Sequence, residues 1–148
     1  MARTAYFCSL LFVGLALGPS LGHLLELPNK IGLPADAYLQ VQQIYRGWAL
    51  LGVVVAAELL STGALAFALR RRRREFGFAV VAFLCVVAAQ VDFWAATYPA
   101  NAATDQWRML PAHWESLRTQ WEYSHAAGAT LNLAAFIALI LAVLCRDG

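Results

Sequence analysis

Two short segments pair an imidazole with a carboxylate, His23-Leu24-Leu25-Glu26 and Glu122-Tyr123-Ser124-His125. The i, i+3 spacing puts both members of each pair on one helix face. On antiparallel helices the reversed order sets His23 level with His125 and Glu26 level with Glu122. Two imidazoles and two carboxylates can ligate one transition metal ion, such as zinc, iron, copper or manganese. They can also move protons without a metal, because histidine titrates near neutral pH. A third reading is a buried ion-pair network that holds helices together and binds nothing. Gln42 and Gln90 stand where a two-metal bundle would supply further glutamates, so a metal site here is expected to be mononuclear. Arg46, one turn on from Gln42, is expected beside the glutamates, neutralising them or anchoring an anionic substrate bidentately. The predicted catalytic set is therefore His23, Glu26, Arg46, Glu122 and His125, with the metal set His23, Glu26, Glu122 and His125. Gln42, Gln90 and Trp94, which shares a face with Gln90, are expected to line the substrate side.

The elements that must position these residues follow from composition. Of 148 residues, 61% are hydrophobic and 14% charged, against roughly 25% charged in soluble domains. A small core cannot hide that much apolar surface from water. Four apolar stretches, residues 5–27, 39–69, 76–97 and 117–144, each reach the roughly 20 residues that span a bilayer as a helix. The expectation is an all-α, single-domain bundle of four transmembrane helices over residues 1–148. The net charge of +2 is too small to point to nucleic acid. The basic run at residues 70–74 lies between two spans, where an orientation signal belongs. Arg3, residues 70–74 and Arg146 fall on one side, against Lys30, Arg46, Arg108 and Arg118 on the other. Both termini are thus expected on the cytoplasmic side of the cell (inner) membrane, with the His/Glu groups near the outer face. A cleaved signal peptide at residues 1–22 is the competing reading; the apolar stretch runs on through Leu27 and Pro19 lies close to the supposed cut, which favours a retained helix.

The prolines and glycine of residues 28–38 predict an outer turn, and residues 98–116 a longer outer loop whose Trp107 and Trp114 suit a membrane interface. Cys8, Cys85 and Cys145 lie in or at the ends of apolar spans and form no secreted disulfide framework. Glu58, deeper on the second helix and on another face than Arg46, reads as a neutral carboxyl, a partner across an oligomer contact or part of a proton path. Asn132 is expected to make an interhelical hydrogen bond. Arg118 and Trp121 share the face of Glu122 and His125 and either roof the site or, for Arg118 with Glu122 at i, i+4, form an ordinary surface pair.

Asn101, in Tyr98-Pro99-Ala100-Asn101-Ala102-Ala103-Thr104, followed by Arg118-x-x-Trp121-x-x-x-His125 and set among four apolar spans, resembles the anthrone-oxygenase-like family of small membrane proteins. The resemblance implies an oxygenase or oxidoreductase acting on a lipophilic aromatic or quinone-like substrate, with Asn101, Arg118, Trp121 and His125 as the matching positions. It does not extend to the HxxE pair of the first helix. The alternative is a noncatalytic membrane subunit or small-ligand sensor whose polar cluster is structural. The expected partners are the lipid bilayer and a lipophilic small molecule; the sequence leaves open both a monomer and a homo-oligomer.

Overall fold

The computed structural model describes residues 2–147. Among them there is no strand. The helices are α1 (Ala2–Lys30), α2 (Ala35–Gln42), α3 (Gly52–Leu69), α4 (Arg73–Asp92), α5 (Tyr98–Ala103) and α6 (Trp114–Leu144). Four segments are long and apolar enough to cross a membrane: Ala2–Lys30, Trp48–Leu69, Arg73–Ala103 and Trp114–Leu144, with mean hydropathy between 1.7 and 2.3. The chain is a four-helix membrane bundle. The even number of crossings places both ends of the chain and the arginine loop together. Tyr6 marks that junction, its hydroxyl reaching Glu75 Oε2 at 2.8 Å and the Ala142 carbonyl at 3.1 Å.

The bundle is packed on the inside and apolar on the outside, as lipid requires. Phe7, Leu25, Val53, Leu60 and Phe67 are among the large side chains left on the outer surface. Inside, Val13, Leu65, Leu69, Val86 and Leu139 interlock with alanines at 66, 79, 82, 135, 138 and 142. Small residues let backbones approach closely, so that dispersion replaces the missing hydrophobic drive between helices. Gly63 shows the limit: a Cβ there would sit 3.3 Å from the Phe83 ring. Asn132 donates to Ser20 Oγ at 3.0 Å, the expected bond between the outer-end helices.

Three features of the end opposite the arginine loop, termed the outer end of the bundle, differ from the simple four-rod expectation. The second apolar stretch is not continuous from residue 39. Its first part is the separate helix α2, followed by a 3₁₀ turn at Gln43–Tyr45 and a break at Gly47, whose φ of +90° is left-handed. A residue with a Cβ is strained in that region. The third span continues to Ala103 through a π-helical turn at Phe93–Thr97. Gln120 of α6 donates to the Ala96 carbonyl within that turn at 2.8 Å, and Thr97 and Ser124 hydroxyls meet at 2.7 Å. Lastly, Asp105, Gln106 and Trp107 all have positive φ, between 48° and 58°. This single left-handed turn carries Trp107 inward until it is 3% exposed, packed with Tyr38, Ala100, Leu117 and Trp121. Three consecutive non-glycine residues in this region are a local strain that surrounding contacts must offset.

Candidate functional site

The outer-end cluster is built on the last turns of α1 and the first turns of α6. His23 and His125 stack, ring centroids 4.0 Å apart and planes 22° from parallel. Glu26 and Glu122 lie one turn further out. Between the two carboxylates sits Lys30, its Nζ 3.2 Å from Glu122 Oε1 and 3.5 Å from Glu26 Oε2. The structure thus brings His23, Glu26, Glu122 and His125 together in the levels that their spacing implies. The cation beside them is Lys30, which sequence reasoning had assigned to the outer turn. Arg46, expected in that position, is exposed and donates to Gln43 Oε1 at 2.8 Å. The reason is that α2 ends at Gln42, the 3₁₀ turn ends at Tyr45 and Arg46 itself leaves helical geometry with ψ 125°, so the helical register that would carry its side chain inward is lost.

Lys30 is 3% exposed. It also donates to the Tyr45 hydroxyl at 2.7 Å, and its ammonium stands 4.5 Å from the ring centroids of both Tyr45 and Trp121, within the range of cation–π attraction. Tyr45 donates in turn to Glu26 Oε2. Tyr38, fully buried on α2, donates to Glu122 Oε1 at 2.9 Å and accepts from Gln42 at 2.6 Å. Burial, then the adjacent Glu122 carboxylate, pushes the Tyr38 phenol far above its usual pKa. Burial and the bond to Glu26 do the same for Tyr45. Both phenols therefore remain proton donors at any ordinary pH.

A ring of aromatic side chains encloses the imidazoles. His23 meets Tyr45 at 4.6 Å, Trp121 at 5.2 Å and Trp48 at 5.4 Å, and His125 meets Trp121 at 4.1 Å. Asn101 fixes this wall: its Oδ1 accepts from the indoles of Trp121 at 2.8 Å and Trp107 at 3.0 Å. Arg118 closes the outer side, donating to the Leu33 carbonyl at 2.7 Å with its guanidinium 4.6 Å from the Trp114 ring. Three buried polar atoms in and around the cluster have no hydrogen-bond partner: His23 Nδ1, Glu122 Oε2 and, at its outer side, Arg118 Nε.

Gln90 and Trp94 do not join this cluster. With Leu59, Val87, Val91 and Ala95 they line a shallow apolar groove on the bundle's flank, and Trp94 is largely exposed, against Phe93 and Tyr98. Glu58 is 1% exposed, with Oε1 unpartnered; it faces the bundle interior, which removes the oligomer-contact reading.

Among the described residues, no group of three or more His, Cys, Asp or Glu side chains is placed to hold a metal ion. The geometry explains this. An imidazole's lone pair lies in the plane of its ring, so two nearly parallel stacked rings do not aim at a point between them. The Lys30 ammonium, meanwhile, takes the seat between the carboxylates that a metal cation would need. As arranged, the donor set does not fit a mononuclear centre.

Lys30, Tyr38 and Tyr45 were missed from sequence. For Lys30 the signal was present, since His23, Glu26 and Lys30 follow at i, i+3 and i+7 on one face. Pro28, between them, reads as a helix end, yet α1 continues to Lys30. Comparison of the chain with protein-family models, curated proteins and solved structures gives no match.

Proposed function

We propose that the outer-end cluster is a membrane-embedded acid–base site that binds a lipophilic aromatic, quinone-like or phenolic in type, and begins an oxidoreductase or oxygenase reaction by removing a proton from it. The observation that carries this reading is the pair of unpartnered buried atoms, His23 Nδ1 and Glu122 Oε2, beside a buried lysine and two neutral phenols. Leaving such an atom unpaired costs about 1–3 kcal/mol, a cost that a bound hydroxyl or acidic C–H substrate would offset. His23 is the proton acceptor. The positive charge of Lys30 stabilises the negative charge that develops on the substrate oxygen, acting where water is excluded, while Tyr45 holds Lys30 and Glu26 in place. Gln42 and Glu122 position Tyr38, and Asn101 holds the indole wall against which a flat ring system can pack. The chemistry uses this chain's own groups and routes no step through a metal. In this reading the bundle lies in the cell (inner) membrane with both termini cytoplasmic and the cluster near the outer face.

Anthrone is a suitable probe, because its activated methylene loses a proton and the anion then takes up dioxygen, giving anthraquinone and water. In nanodiscs with chelator present, wild-type protein should accelerate oxygen uptake with anthrone above the uncatalysed rate. His23→Ala should abolish the acceleration while retaining helical circular dichroism. Absence of acceleration in the wild type, with anthrone and with reduced naphthoquinones, sinks the catalytic reading. One observation favours the noncatalytic alternative: Lys30 meets three oxygens, on Glu26, Glu122 and Tyr45, matching its three N–H donors. Saturable quenching of tryptophan fluorescence by anthraquinone without turnover would assign the chain to that sensor class.

A further inference from the structure

The opposite end of the bundle carries a second constellation. Arg3 comes from the first turn of α1, Arg72 from the loop between α3 and α4, and Arg146 from the final 3₁₀ turn. With Ala2 and Tyr6 they line a pocket of about 230 Å³. Two of its lining residues are fixed by Glu75 behind them: Tyr6 donates to Oε2 at 2.8 Å, and Arg72 Nη1 lies 3.3 Å from both carboxylate oxygens. Of the three arginines that line the pocket, Arg72 is ion-paired with Glu75. Three segments far apart in sequence therefore bring a concentrated positive charge around a concave space. Arg70, by contrast, folds back on the Phe67 carbonyl and does not line the pocket.

We propose that this pocket binds a phosphate group, supplied in the membrane by the head group of an anionic phospholipid. Guanidiniums match phosphate oxygens with paired N–H donors, and basic pockets between spanning helices on the arginine-rich side are where anionic head groups bind. The setting selects the lipid over a free ion. Phe7, next to Tyr6, is 65% exposed, and Leu144, two residues before Arg146, is 69% exposed. A molecule carrying both a phosphodiester and acyl chains meets both kinds of surface. The proposal is independent of the outer-end chemistry.

Native mass spectrometry of delipidated, detergent-purified full-length protein tests it with three probes: phosphatidylglycerol, phosphatidylcholine and inorganic phosphate. Phosphatidylglycerol should be retained about tenfold more strongly than phosphatidylcholine, the effect of one charge-assisted contact. The double variant Arg3→Gln/Arg146→Gln should lose that preference. Arg71→Gln/Arg74→Gln removes the same charge outside the pocket and should keep it. Equal losses in both double variants would mean diffuse charge attraction and overturn the site, as would wild-type protein with no preference. Inorganic phosphate displacing phosphatidylglycerol at equal concentration would reassign the pocket to soluble phosphate and overturn the lipid assignment. Unchanged circular dichroism in both variants separates these outcomes from misfolding.

Discussion

Lys30 decides what the two histidine–carboxylate pairs can do. Without it, Glu26 and Glu122 would be two negative charges near one another in a low-dielectric environment, and a metal would be the natural neutraliser. With it, the carboxylates are compensated from within the chain. Glu122 is fully buried while the Glu26 side chain is 38% exposed, so the two pairs are unequal. Removing the ammonium strands a carboxylate at Glu122 but lets water reach Glu26. Lys30→Met should therefore destabilise the protein in detergent by about 3–5 kcal/mol, the usual consequence of breaking a buried pair from one side. Glu122→Gln should cost less, because Lys30 keeps Glu26 and Tyr45. The double variant Lys30→Met/Glu122→Gln should be more stable than the sum of the singles predicts, with a coupling energy of about 0.5–3 kcal/mol. Strict additivity in thermal unfolding would show that the pair does not interact.

The elements that carry the cluster show why part of it was legible and part was not. His23, Glu26, Glu122 and His125 sit on two long regular helices, where 3.6-residue periodicity fixes faces and depths, and counting along the sequence sets them level. Tyr45 and Trp48 sit on two 3₁₀ turns flanking Gly47, and periodicity says nothing across a break. The apolar run of residues 39–69 reads as one helix, since hydropathy does not register a single left-handed residue. The break around that residue, which includes the non-helical ψ of Arg46, determines where Arg46 points and which aromatics reach His23. Gly47→Ala puts a Cβ into a conformation that costs about 1–2 kcal/mol. It should lower stability by that amount and loosen the aromatic wall, seen as a shift in tryptophan emission. Gly52→Ala, in right-handed geometry with open space around its Cα, is the control and should leave both unchanged. Equal behaviour of the two variants would show that the break at Gly47 imposes no left-handed requirement.

The whole bundle is polarised: guanidiniums around a concave pocket at one end and an internally ion-paired Lys–Glu–Tyr–His cluster at the other. Composition alone makes four crossings legible, because runs of this length and apolarity have no aqueous alternative. Lys and Arg counts predict a direction of insertion, since cytoplasmic segments retain positive charge. Lys30 is buried between carboxylates, whereas Arg118, bonded to the neutral Leu33 carbonyl, keeps its charge, and on the opposite side Arg72 is likewise paired with Glu75. The expected direction therefore rests on the count of seven Lys and Arg residues against four. In a background with Cys8, Cys85 and Cys145 replaced by alanine, a membrane-impermeant maleimide added to intact cells should label Ala112→Cys, in the exposed loop before α6, and should leave Arg71→Cys unlabelled until the membrane is permeabilised. The reverse pattern would invert the bundle, placing the His/Glu cluster at the cytoplasmic face, where a substrate would have to arrive from within the cell. Labelling of both positions in intact cells would mean dual insertion, and the arginine loop would then not be the determinant of direction.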